Sequence, residues 1–119
     1  MSPDPAPDII FDDGTARFTL DRDEGGLVVH VSGELDVSSR DAHNLVLNHV
    51  GQCATAGDSR NLVMDMQDVQ FCDSTGIILL LRLRQQIEEA GGTFAVREPS
   101  AAVSRVLIAG GLGDLIEGR

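Results

Sequence analysis

FCDSTGIILLLRLRQQIEEAGG, residues 71–92, is the stretch on which the fold turns. A small polar cluster, Asp73-Ser74-Thr75-Gly76, runs directly into five apolar residues, Ile77 to Leu81. Helical spacing sorts the segment into two faces. Ile77, Leu80, Leu81 and Ile87, with Leu79 and Leu83 beside them, form a broad apolar face that must pack on a sheet. Ser74, Ile78, Arg82, Gln85 and Glu89 fall on the opposite stripe and should face water. The spacing predicts a helix over 74–90, closed by Gly91-Gly92, a common C-terminal signal.

On either side lie strands and further helices. Ala16 to Asp21 (ARFTLD) alternates apolar and polar residues, and Leu27 to Val31 (LVVHV) is apolar and β-branched. With the turn signal Asp23-Glu24-Gly25-Gly26 between them, they read as a hairpin. Ser38 with Asp41 resembles a capping box opening a first helix. In that helix Ala42, Leu45, Val46, His49, Val50, Cys53 and Ala54 recur at helical spacing up to Gly57. Asn61 to Met66 (NLVMDM) reads as a buried central strand, followed by a loop. After the quoted helix, Thr93 to Val96 is another strand, and Pro99 or Ser100 opens a third helix to Ala109. Leu112 to Ile116 closes the chain as a short segment of unassigned type. The expected class is α/β: a single domain in which a mixed sheet packs against helices. Residues 14–119 form that domain, and residues 1–13, led by the proline-rich MSPDPAPD, read as a disordered lead.

Size and composition exclude several functions. The chain has 119 residues, 42% of them hydrophobic, enough for one compact core. Its net charge is −10, which argues against nucleic acid as a partner, because neutralising phosphates needs a basic patch. Without Trp or Tyr, and with only 4 Phe, a base-stacking platform is also disfavoured. All 9 basic residues are Arg, so a Lys-bearing phosphate loop cannot exist. No apolar run approaches a membrane span, and the N-terminus lacks the pattern of a secretion signal. Cys53 and Cys72 suit two reduced thiols, Cys72 buried, rather than a disulfide framework or a zinc site. The expectation is a cytoplasmic protein with no membrane association, metal or cofactor.

Ser74 sits at the start of the quoted helix, and three roles compete for it. As a cap, Asp73 or Ser74 would accept an orphan backbone N–H. As a modification site, Ser74 would carry a phosphate worth about −1.5 to −2 charge on an exposed face. As a nucleophile it would need a positioned base, and His30, His43 and His49 show no such signature. Asp36, Asp65 and Asp73 each fall near the end of an expected strand. They could gather around magnesium, but aspartates at such positions more often satisfy turn or helix N–H groups. Ile78, on the polar stripe, is either a lone exposed residue or a contact point. No catalytic residue is expected.

Three segments together carry a family resemblance. They are Gly33-Glu34-Leu35-Asp36 after the second strand, Leu62-Val63-Met64-Asp65 in the third, and Phe71-Cys72-Asp73-Ser74-Thr75-Gly76 opening the apolar helix. Gly91-Gly92 before a strand, Val106-Leu107 and Gly111-Leu112 add to them. The sequence resembles a STAS domain of the bacterial anti-sigma factor antagonist kind, over roughly Thr15 to Ile116. Cys72 departs mildly from the pattern, where a larger aliphatic residue is usual. The resemblance implies a switch. The unphosphorylated antagonist binds an anti-sigma factor that is itself a serine kinase, and a sigma factor is released. Phosphorylation at the position of Ser74 ends binding, and a serine phosphatase restores it. Thr75 fills a position also phosphorylated in some relatives, and the aspartate matching Asp36 lies near the phosphorylated serine. The implied contact set is Asp36, Asp73, Ser74, Thr75, Gly76, Ile78 and Arg82. The same domain also serves as a structural subunit in stress-sensing and transport complexes, which is the alternative function.

Overall fold

The computed structural model describes residues 9–23, 26–57 and 61–117. Five strands form one sheet in the order β1-β2-β3-β4-β5. They are β1 (Ile9–Asp12), β2 (Ala16–Asp23), β3 (Gly26–Leu35), β4 (Leu62–Cys72) and β5 (Phe94–Arg97). The first three pair antiparallel and the last three parallel, so the sheet is mixed, as expected. The helices are α1 (Arg40–Ala56), α2 (Ser74–Glu89) and α3 (Ala101–Ala109), with single 3-10 turns at Val37–Ser39 and Gly113–Leu115.

Cross-strand partners share a face, so the register defines the core. Phe18 faces Val31, Leu20 faces Val29, and Val29 faces Met64. All of these are buried in one continuous cluster with Val46 and Val50 of α1 and Leu79, Leu80, Leu83 and Ile87 of α2. The crossovers β3-α1-β4 and β4-α2-β5 advance in the same direction, and right-handed connections then bring both helices to the same face. α1 and α2 pack side by side there, and α3 lies along β4, burying Val103 and Leu107. The other face carries a polar row in register across four strands: Thr19, His30, Asp65 and Arg97.

Four expectations need correction. The segment Ile9–Asp12, assigned to a disordered lead, is an edge strand of the sheet. Its alternation places Ile9 and Phe11 against the core and leaves Ile10 outside, which is ample reason to pair. Residues 1–8 lie outside the described residues. The strand expected over 61–66 runs on to Cys72, through what reads as a loop. Its period is broken twice, between the pairs His30/Ser32 and Gly33/Glu34 of β3, where β4 carries an extra residue each time. The first helix is not opened by a Ser38 cap: Ser39 stands at its N-cap without a side-chain cap bond, and Asp36 caps the 3-10 turn just before it. Asp36 accepts from the Ser38 N–H at 2.9 Å, and its own N–H donates to Ser39 Oγ at 3.2 Å. Finally, Leu45 is exposed and His43 takes the inward position.

Candidate partner-binding and modification site

The two parallel crossovers start from adjacent strand ends. Leu35 pairs with Cys72, and the Asp73 N–H donates to the Leu35 carbonyl at 3.2 Å. Each strand is then followed by an aspartate that opens a helix. Asp36 caps the 3-10 turn that leads into α1, and Asp73 caps α2 by accepting the Thr75 N–H at 2.8 Å. This is the C-terminal edge of the parallel half of the sheet, where α/β folds commonly build their sites.

Gly76 brings α2 down onto that edge. It is buried, and a Cβ there would lie 2.7 Å from Cys72 Sγ and 2.8 Å from the Leu35 Cβ. Gly76 therefore belongs to the packing, not to a contact surface. Cys72 is buried beneath it. Burial, and then the neighbouring Asp73, pushes its thiol up to about 11, so it stays protonated at neutral pH.

The other implied contact residues divide cleanly. Ser74, Ile78 and Arg82 are exposed, while Asp36, Asp73 and Thr75 are half-buried. Since Asp73 does the capping, the Ser74 hydroxyl is left toward solvent with no cap role. Between α1 and α2 lies a notch of about 300 Å³, whose walls include Arg40, Leu47, Thr75, Ile78, Leu79 and Arg82. Among the described residues neither Arg40 nor Arg82 forms a salt bridge. Ile78 is 49% exposed at this notch. Val37 and Phe71, each within two residues of the Leu35–Asp73 bond, are exposed as well. Sequence reasoning missed Arg40, Val37 and Phe71. Val37 could have been found as an apolar residue inside a run of cap residues, but Phe71 was hidden by the bulged end of β4.

His43 lies beneath the notch. Its Nε2 is 2.8 Å from Ser39 Oγ, and Phe18 packs edge-on against the ring. Burial pushes its pKa below the ordinary value, with Arg40 adding to the effect, although Asp13, Asp36 and Asp73 all pull the other way. The ring stays neutral and structural. Asp65 does not join Asp36 and Asp73. It sits mid-strand on the opposite face, 3.0 Å from His30 Nδ1, and the other ring nitrogen of His30 is 3.5 Å from Asp21. Among the described residues no group of three or more His, Cys, Asp or Glu side chains could hold a metal ion. No described helix is long and apolar enough to cross a membrane.

An antiparallel hairpin leading into two parallel crossovers, with an Asp-Ser-Thr-Gly turn at the sheet's C-terminal edge, defines the class. The STAS domain model matches residues 17–119, and the chain belongs to the STAS domain family. A relative from Paenibacillus polymyxa named anti-sigma F factor antagonist is 29% identical over 96 residues, covering 81% of this chain and 80% of that protein. Among solved structures, the unphosphorylated anti-sigma factor antagonist SpoIIAA superposes with a TM-score of 0.73 at 24% identity, over 83% of this chain and 84% of that one. An anti-sigma factor antagonist from Mycobacterium paratuberculosis gives 0.70 at 24% identity, over 89% and 86%. At those identities the structures show the shared fold.

Proposed function

We propose that this chain is a non-enzymatic anti-sigma factor antagonist, switched by phosphorylation of Ser74. Unphosphorylated, it binds an anti-sigma factor that is also a serine kinase, and a sigma factor is released. A phosphate on Ser74 ends that binding, and a serine phosphatase resets the protein in the cytoplasm. The observation that carries the reading is the division of labour between neighbours. Asp73 caps α2, so Ser74 stands exposed beside the Ile78–Arg82 surface with no duty to the fold. A phosphate there adds about −1.5 to −2 charge. The folded chain tolerates it, and a partner fitted to a neutral hydroxyl does not. The relative named anti-sigma F factor antagonist supports the same role.

The test is to mix the protein with a candidate anti-sigma factor kinase and ATP, and to map the modified residue by mass spectrometry. Phosphate on Ser74, and loss of kinase binding by Ser74→Asp, are the expected results. Modification only at other residues, or full binding by Ser74→Asp, would sink the reading.

A further inference from the structure

Ser74 and Thr75 are neighbours in sequence but face different surroundings. Successive residues of a helix point about 100° apart. Thr75 lines the notch between α1 and α2 together with Arg40 and Arg82, whereas Ser74 is not among its lining residues. Thr75 and Arg82 are two turns apart on one side of α2, separated by about 10.5 Å of rise. Side chains on a helix lean toward its N-terminus, which inclines Arg82 toward Thr75, and both line the notch. Arg40 enters from the other side, from the first turn of α1. In a chain of net charge −10, two guanidinium groups without salt-bridge partners among the described residues thus share a notch with one hydroxyl. Two carboxylates at this end of the sheet are already engaged: Asp36 accepts from Ser38 and Asp73 from Thr75.

We propose that the notch is an internal phosphate clasp for Thr75. A phosphate ester on Thr75 Oγ1 is gripped by Arg40 and Arg82, while one on Ser74 stands in solvent. The proposal deepens the function above and rests on its reading of this end of α2 as the regulated surface. The two modifications then differ in kind. Phosphate on Ser74 adds negative charge to an open surface. Phosphate on Thr75 cancels two positive charges, fills the notch and ties α1 to α2. In the transfer, the Thr75 Oγ1–P bond forms as the bond from the γ-phosphorus to the bridging oxygen of a nucleoside triphosphate breaks. The hydroxyl proton passes to a base on the kinase, and the nucleoside diphosphate leaves.

The clasp can be read without any partner. The full chain is produced with phosphothreonine encoded at 75 or phosphoserine at 74, and each phosphate is titrated by phosphorus NMR. The charged and titratable groups around the site are Asp36, Arg40 and His43 on the α1 side, Asp73 and Arg82 on the α2 side, and Asp13 from the turn after β1, which acts on His43. Asp73 opposes the second ionisation at both positions, so the arginines set the difference. The second ionisation at Thr75 is expected about one pH unit or more below that at Ser74. In the phosphothreonine chain, Arg40→Gln and Arg82→Gln should each move it back up. Equal ionisation at the two positions, or a Thr75 phosphate indifferent to both arginine substitutions, would overturn the clasp. Failure of kinase binding would count only against the function proposed above.

Discussion

Gly76 closes on Leu35 so tightly that a Cβ at position 76 would lie 2.8 Å from the Leu35 Cβ. That contact seats the first turn of α2 on the end of β3. Alanine is the better helix former by about 1 kcal/mol. Overpacking of this kind costs about 1–3 kcal/mol, and Leu35 is held in a strand and cannot yield. Gly76→Ala should therefore lower stability by up to about 2 kcal/mol despite its helix propensity, as read by urea denaturation. A variant as stable as the parent would mean that α2 can slide off the strand end at little cost.

The caps predict a contrast between adjacent residues. Asp73 accepts the Thr75 N–H at 2.8 Å, and Ser74 makes no cap bond. Asp73→Ala should cost about 1 kcal/mol, the usual loss on removing a cap. Ser74→Ala should stay within about 0.5 kcal/mol of the parent, as exposed substitutions do. Thermal melts of the two variants side by side test this, and a reversed order would refute the assignment of the cap.

Ile78 and Leu80 test the division of α2 into an outer and an inner face. Ile78 is 49% exposed and Leu80 is fully buried at 0%. Leu80→Ala should lose about 2–5 kcal/mol. Ile78→Asp should lose well under that and instead weaken binding to the kinase proposed as partner, measured by calorimetry. A large drop in melting temperature for Ile78→Asp would place Ile78 in the core.

His43 and Asp65 contribute, together with Asp13, to the acid limb of the stability curve, and they do so at different pH. His43 has a pKa lowered from 6.5 by burial. The unfolded chain therefore binds its proton first, and stability is lost as pH falls below about 6.5 toward the folded value. Asp65 has its pKa lowered from 3.8: burial works against ionisation, but the Gln67 N–H, His30 and the Gln67 side chain outweigh it. Its contribution is present above about pH 3.9 and disappears as pH falls through the folded value. Denaturation midpoints taken from pH 7 to 2.5 should show His43→Gln flattening the upper part of this limb and Asp65→Asn the lower part. Curves parallel to the parent would reject both linkages.

Much of this molecule is legible in its sequence because most elements obey one clean period. α2 separates into faces by spacing alone, and Ser74, Ile78 and Arg82 are exposed as that spacing requires. The illegible parts are those where the period breaks. In β4 the exposed pairs Gln67-Asp68 and Gln70-Phe71 interrupt the alternation, and they read as a loop although bulges carry the strand through them. β1 was obscured by the prolines before it. At the site, Thr75 and Arg82 could be aligned from spacing, but Arg40 arrives from another helix, and only the packing of α1 on α2 brings it into the same notch.

Asp73 holds the helix, and its neighbour holds the proposed signal. Separating the two tasks has an evolutionary consequence. Were Ser74 itself the cap, every change to the signalling hydroxyl would tax folding, and selection for abundance would preserve the residue whether or not it was used. With the cap next door, drift at position 74 is nearly free of that constraint. A lineage could silence, rewire or make constitutive such a regulator by one base change and still accumulate the protein at its former level.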